Sequence, residues 1–415
     1  MELGVRALER CDLMGAPPYS ERADQLTRRF LTPAHAASLE ALSDWMAAAG
    51  MSVRRDSAAN LVGRYEGLAP AAPALMIGSH IDTVANGGRY DGALGVTLGI
   101  DCVEALAREG RRFGFAIEVI AFGDEEGSRF PTSMTCSRAV TGEANPAALA
   151  MRDAEGQAFG AALDGFLAGA AAVKAARKRG DVLGFLEAHI EQGPVLESEG
   201  LALGVVTAIA SQQRLLARFS GRAGHAGTTP MNLRLDPGPA AAEAILAVER
   251  ICRARAGVVG TVGRMAAFPG GFNVIPGAVE ISLDVRAPTS SQRDAAAAEI
   301  RAAFEEVATR RGLTVSLEVL QDLAESPCDP ALTTLLEGAV RAAGVRPRRL
   351  PSGAGHDAMV MATLCPTAML FIRCRGGISH NPAEWVDPAD AALAARAMLG
   401  FIEALSASME GRGAA

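Results

Sequence analysis

The sequence predicts an α/β protein whose sheet-building chain is interrupted by a separate βαββαβ segment. Three observations predict it. The runs 74–78 and 113–122 are short, almost wholly apolar and bounded by polar or glycine residues, as strands buried on both faces are. The stretch between them, Gly92 to Glu109, carries apolar residues at helical spacing and ends at Gly110, a fitting C′ glycine. From about residue 211 the pattern changes to strands that alternate apolar with polar residues.

Taken in order, residues 1–210 form the first part of an α/β unit, with strands alternating with Ala-rich helical stretches. Within 211–326, strands are expected at Arg214–Ser220, Gly257–Phe268, Ala278–Arg286 and Leu313–Val319, with helices at Pro239–Arg255 and Gln292–Arg311. That βαββαβ order is the split ferredoxin-like arrangement, which closes on itself as an inserted domain. Residues 327–415 return to the first unit through helical patterning at Pro327–Leu350, an apolar strand at Ala368–Ile372 and a last helix at Pro388–Ser406. Asp387 before Pro388 is an N-cap followed by proline at the first helical position. Residues 410–415 read as a frayed tail.

At 415 residues the chain has room for two or three domains, so a small disulfide-stapled module is excluded. A formal charge of −7 without long basic runs argues against nucleic acid and anionic membrane as partners. The first residues carry early charges and no signal-like apolar stretch, and no segment offers the roughly 18 uninterrupted apolar residues of a membrane span. The seven cysteines are odd in number, scattered and never in a C-x-x-C pair, which predicts a cytoplasmic, reducing environment.

Histidine carries more information. Five of the six histidines, His80, His189, His225, His356 and His380, sit in glycine- or acid-rich segments. The first, Gly78-Ser79-His80-Ile81-Asp82-Thr83, ends a buried strand. Side chains at i and i+2 share a face of extended chain, so Asp82 is expected to accept a hydrogen bond from the non-ligating nitrogen of His80. A glycine loop then brings Asp91 back towards His80. An exposed loop with a capping Asp fits the same residues.

Gly123-Asp124-Glu125-Glu126-Gly127 follows the second buried strand. Three adjacent carboxylates repel one another, which suggests a nearby cation or one raised pKa, although a solvated turn is the plain alternative. Position favours the former, because ligands of open α/β sheets gather at the carboxyl ends of strands. His189 and His380 each lie in a polar segment after apolar residues. With His80, Asp91 and Glu126 they supply three imidazoles and two carboxylates, enough for two metal ions sharing a carboxylate.

The segments G-S-H-I-D-T, Y-D-G-A-L-G-V, D-E-E-G-S-R-F, H-I-E-Q-G-P-V-L-E, A-G-H-A-G-T-T-P-M, N-V-I-P-G, S-G-A-G-H-D-A and G-G-I-S-H-N-P-A-E stand in this order. From about residue 20 to its end the chain resembles the zinc-peptidase-like metallo-amidohydrolases, in the branch of N-carbamoyl-L-amino-acid hydrolases, β-ureidopropionases and allantoate amidohydrolases. The resemblance implies a mixed-sheet catalytic domain formed by both chain ends, an inserted lid through which the chain forms a homodimer, and two divalent ions, Zn or Mn, per subunit. It implies His80, Asp91, Glu126, His189 and His380 as ligands, with Asp91 bridging. Glu125 would be the general base, its carboxylate free to take a proton from water while Glu126 is committed to a cation.

The resemblance also implies that His225 stabilises an oxyanion from across the dimer, and that Asn273 and Arg286 bind a substrate carboxylate, the latter with its planar fork. Spacing alone places His225 in a loop and makes Arg286 a surface charge. Gln212 is a further candidate for substrate contact. Gly355, in a turn opening a helix, offers backbone N–H groups to substrate, and His356 either contacts substrate or packs beneath the site.

The implied substrate is a small ureido compound bearing a carboxylate. The segment F-I-R-C-R-G-G-I-S-H, with Arg373, resembles the allantoate amidohydrolases, an added arginine near the metals being suited to a second ureido oxygen. Allantoate hydrolysis to ureidoglycine, ammonia and carbon dioxide is the first expectation and N-carbamoyl-L-amino acids the second. An aminopeptidase or dipeptidase of the same fold is a more distant third, and a non-catalytic relative would lack a ligand or base, none of which is missing.

Overall fold

The computed structural model describes residues 3–168 and 173–413. It divides into two compact units, Met1–Thr207 with Pro327–Ala415, and Ala208–Ser326.

The first unit is built on a nine-stranded mixed sheet. Its main path runs Ser52–Arg55, Leu61–Tyr65, Ala116–Phe122, Ala74–His80, Val182–Ile190, Thr367–Ile372, Leu203–Ile209 and Ser326–Pro327, and Arg349–Ser352 also pairs with Leu203–Ile209. The four central strands, from Ala116–Phe122 to Thr367–Ile372, are mutually parallel, whereas Leu61–Tyr65 and Leu203–Ile209 pair with them antiparallel. Three of these four are buried at every residue, which is why they read as continuous apolar runs.

Helix Ala93–Arg108 packs on the strands Ala74–His80 and Val182–Ile190. Its Gly95 makes that contact possible: a Cβ there would lie 2.1 Å from the Ala188 carbonyl oxygen. The helix closes as expected, with Gly110 at φ 65° and Arg111 N–H donating to Leu106 O at 2.9 Å.

The last helix is longer than its sequence suggested. It runs Pro388–Gly413, so Glu410–Gly413 are helical rather than frayed, and Ala414–Ala415 lie outside the described residues. Asp387 caps it, accepting from Ala389 N–H at 2.9 Å. By length and composition its Pro388–Gly411 stretch is apolar enough to cross a membrane, but Ala394, Met398, Phe401 and Ile402 are fully buried in the core beside helix Pro330–Ala342.

The second unit is a five-stranded antiparallel sheet with two helices. Its order is Met265–Phe268, Ala278–Ala287, Ser211–Ser220 and Thr314–Leu323, with Val259–Thr261 also paired to Ala278–Ala287. Helices Pro237–Arg253 and Ser290–Arg310 start at Asp236 and Thr289, whose side chains accept from Gly238 and Gln292 N–H. They cover one sheet face and bury Leu215, Phe219, Ile281, Val285 and Phe304. The expected strand Gly257–Phe268 is two short strands, and Thr314–Leu323 carries a register shift between Val319 and Gln321.

Candidate metal centre

The four parallel strands of the first unit end together, and each delivers one piece of the site. His80 is the last residue of its strand, and Glu125 and Glu126 follow the end of Ala116–Phe122. His189 is next to last in Val182–Ile190, and His380 lies in the loop after Thr367–Ile372. Asp91 stands just before helix Ala93–Arg108. This is the carboxyl edge of the sheet, where parallel strands leave room for a ligand.

The imidazoles are fixed from behind. His80 Nδ1 lies 3.0 Å from the Asp82 carbonyl oxygen, and His189 Nδ1 lies 2.9 Å from the Ile190 carbonyl oxygen. Carbonyl oxygens only accept, so both Nδ1 atoms carry hydrogen, and the Nε2 atoms face inward as the nitrogens a cation would take in place of a proton. Those Nε2 atoms are 3.5 Å apart. Asp91 Oδ1 sits 3.1 Å from His189 Nε2 and 3.8 Å from His80 Nε2, while Asp91 Oδ2 sits 3.1 Å from His380 Nε2. His380 Nε2 is in turn 3.3 Å from Glu126 Oε1, a buried oxygen for which this ion pair is the close polar contact.

Two groups result: His80, Asp91 and His189, and Asp91, Glu126 and His380, each with its donor atoms within 4.8 Å of one another. Three imidazole nitrogens converging on the carboxylates of Asp91 and Glu126 form a mixed N/O donor set that calls for positive charge between them. The residues therefore fit two divalent cations, with Asp91 giving one oxygen to each group.

Protonation reflects the same demand. Burial would push Asp91 up, yet its contacts with His189 and His380 hold it well below the usual carboxylate range. Against the cost of its own burial, Asp91 holds His189 up to about 9, and Asp91 with Glu126 holds His380 up to about 10. Glu125 is pushed well up by burial and by the carboxylates of Asp357, Glu126, Asp82 and Asp91, which raises its basicity towards a water proton.

Asp82 requires a correction. Its carboxylate is 3.7 Å from His80 Nδ1, which donates to the Asp82 backbone carbonyl instead. The carboxylate accepts the N–H groups of Glu125 and Glu126, each at 3.2 Å, and so anchors the turn carrying both. Burial, then Glu126, pushes Asp82 up to about 7. Of the three consecutive acids, Glu126 does push Glu125 up as the sequence suggested, whereas Asp124, at φ 57°, turns inward and accepts from the Thr132 and Thr135 hydroxyls.

His356 packs beneath the site. It is 1% exposed, its ring meets that of His189 edge-on at 4.5 Å, and its Nε2 is committed to Ser352 Oγ at 2.8 Å. A ring so enclosed buttresses His189, which matches the packing alternative for His356. Its neighbour Gly355 is exposed, just before helix Asp357–Met361. Arg373 also requires correction: its guanidinium forks onto Asp390 at 2.8 and 3.0 Å, so it is not an added cation awaiting a ureido oxygen.

In the second unit Gln212 and Arg286 are cross-strand partners, and both bind Asp284. Gln212 Nε2 donates to Asp284 Oδ2 at 2.7 Å, and Arg286 donates to its two oxygens at 2.9 and 3.0 Å. His225 and Asn273 are exposed in adjoining strand and loop segments. Gly227 N–H donates to His225 Nδ1 at 3.0 Å, which leaves Nε2 as the hydrogen-bearing nitrogen of the neutral ring.

The profile of peptidase family M20/M25/M40 matches residues 76–404, a span that contains every candidate ligand. The chain belongs to this family. Over 374 residues, 90% of this chain and 91% of the relative, the M20/M25/M40 chain is 41% identical to an N-carbamoyl-L-amino acid amidohydrolase of Geobacillus stearothermophilus. Over 418 residues, 92% of this chain and 85% of the relative, it is 40% identical to a probable allantoate deiminase of Oryza sativa subsp. japonica. The crystal structure of an amidase of the hydantoinase/carbamoylase family from Burkholderia multivorans superposes with a TM-score of 0.89 at 32% identity, covering 97% of this chain and 98% of that one.

Three contributors to this M20/M25/M40 centre escaped the sequence reading. Gln192, at φ 54°, donates from Nε2 to Asp91 Oδ1 at 3.2 Å and to Ser379 Oγ at 3.1 Å. Ser379 Oγ lies 3.4 Å from Asp91 Oδ2. Glu187, fully buried under the site, accepts from Ser79 Oγ at 2.7 Å and Ala358 N–H at 2.8 Å. The first two sit inside the quoted motifs beside His189 and His380, and that adjacency was the available signal.

Proposed function

We propose that this hydrolase cleaves the terminal ureido C–N bond of a small carboxylate through a two-cation centre. One observation carries the reading: buried Asp91 divides its two oxygens between a pair of imidazole-bearing groups, with the turn that carries Glu125 and Glu126 anchored beside them by Asp82. The ureido class is supported by relatives named for N-carbamoyl amino acids and for allantoate, each matched over about nine-tenths of this chain.

In this reading His80, His189 and Asp91 hold one cation, and Asp91, Glu126 and His380 the other. The bound pair, zinc or manganese, supplies Lewis acidity to a water and to the substrate carbonyl. Glu125 takes the proton of the attacking water and passes it to the departing nitrogen. Asp82 keeps Glu125 and Glu126 in place through their backbone N–H groups. His225, with Nδ1 already occupied, has Nε2–H to offer an oxyanion. Gln212, Asn273, Arg286 and the Gly355 backbone are proposed to bind substrate, Arg286 at the carboxylate, which would have to share the guanidinium with Asp284 or displace it.

Allantoate and N-carbamoyl-L-amino acids both fit, and Arg373 no longer separates them because Asp390 occupies its fork. A lid function for 211–326, a homodimer and a cytoplasmic location complete the proposal, the last supported by seven buried cysteines without a disulfide. The test is ammonia release from allantoate and N-carbamoyl-L-amino acids, beside dipeptide cleavage, with Mn²⁺ or Zn²⁺ restored. Turnover of a ureido carboxylate is expected; dipeptide cleavage with silence on both ureido substrates would replace this reading with the peptidase.

A further inference from the structure

Glu384, four residues after His380, is 4% exposed, and its carboxylate is used on every side. Oε1 accepts the N–H groups of Tyr90 at 2.8 Å and of Asp91 at 3.1 Å. Oε2 accepts the Ser379 hydroxyl at 3.0 Å, and that same Oγ is the one 3.4 Å from Asp91 Oδ2. Gly88 closes over the carboxylate so tightly that a Cβ on it would lie 2.1 Å from Glu384 Cδ. Among the described residues no arginine or lysine forms an ion pair with Glu384. A buried carboxylate whose hydrogen bonds come from two backbone amides and a hydroxyl is costly to keep unless those contacts serve something.

What they serve is the joint between two loops far apart in sequence, one delivering Asp91 and the other His380. We propose that Glu384 is a positioning residue for the dinuclear centre, holding these loops together, and that it governs the Asp91, Glu126 and His380 group more than the His80, Asp91 and His189 group. The asymmetry follows from anchoring. His80 and His189 lie within strands and are held by the parallel sheet, whereas two of the three residues in the other group depend on the segments Glu384 ties. This inference rests on reading the cluster as a two-cation centre.

The experiment is a Zn²⁺ titration of chelator-stripped protein, followed by calorimetry and by metal analysis after dialysis, with circular dichroism and thermal melting as folding controls. Wild-type protein is expected to bind two ions per chain. Glu384→Ala should weaken one binding step by about 10- to 100-fold, as loss of an outer support does, and the other by less. Glu384→Gln keeps a carbonyl oxygen for the two amides and should stay within a few-fold of wild type. Gly88→Ala, which drives a methyl into the carboxylate, should reproduce the weakened step and add little in a Glu384→Ala background.

Folded Glu384→Ala and Gly88→Ala proteins that bind both ions with wild-type affinity would overturn the inference. So would a Glu384→Gln protein as defective as alanine, because charge and not position would then matter. Failure of wild-type protein to bind two ions would instead strike the two-cation reading itself.

Discussion

Replacing Asp91 by asparagine keeps the shape of the side chain and removes the one charge shared by both halves of the centre. Asp91 Oδ1 lies 3.1 Å from His189 Nε2, where two unit charges attract by roughly 5 kcal/mol at an effective dielectric of about 20. Part of that attraction offsets the burial of the ring, and the remainder, with smaller help from Glu187 and the Ile190 carbonyl, holds His189 up to about 9 from its ordinary 6.5. At about 1.4 kcal/mol per pH unit this remainder is of order 3 kcal/mol. Burial should therefore weigh more heavily in Asp91→Asn, and His189 of the metal-free protein should titrate well below 9. Imidazole NMR resonances followed through a pH titration report this directly. The sign for stability follows. A raised folded-state pKa stabilises the metal-free protein fully below pH 6.5, and that contribution is lost as pH rises through about 9. Denaturant unfolding should thus show the Asp91→Asn deficit at pH 6 and not at pH 10. A His189 that still titrates near 9 in the variant would refute the reasoning.

Glu125→Gln should retain both cations while turnover falls by about 10²- to 10⁴-fold, whereas Glu126→Ala should also lose cation; equal metal content and equal activity in the two would contradict the division of roles. Because His189 and His380 are held up to about 9 and about 10, loading with metal at pH 7 should expel protons from both rings, and affinity should climb with pH towards that range. Calorimetry in buffers of different ionisation enthalpy measures the release, and none detected would count against the proposed ligand set. Gly95→Ala pushes a methyl to 2.1 Å from the Ala188 carbonyl and should cost roughly 1–3 kcal/mol, seen as a lower Tm; an unchanged Tm would mean that this helix–strand contact is looser than described.

Much of the site was legible because its pieces sit at places sequence can mark, the ends of apolar strands and the starts of helices. His80, Glu126 and His189 each lie at or just past a run whose burial shows in its composition, and the shared carboxylate of Asp91 precedes a well-patterned helix. The errors came where neighbours are set by packing across long separations. Two-residue spacing put the Asp82 carboxylate beside His80, but the turn at Asp124 presents two backbone N–H groups to it, and those donors take both oxygens. Arg373 looked like a free cation until the last helix brought Asp390 against it. Glu384 was visible only as a motif letter, since its partners Tyr90 and Asp91 lie in the opposite part of the chain. In the second unit, alternating polarity marked the strands, while the break within 257–268 depended on how two short strands pair with Ala278–Ala287.

The central claim is tested most directly by metal analysis of the purified protein alongside ammonia release from a ureido carboxylate, before and after chelation. The account predicts two divalent ions per chain, loss of turnover when they are stripped and recovery when Zn²⁺ or Mn²⁺ is returned. Full turnover by protein free of transition metal, unaffected by chelator, would contradict it.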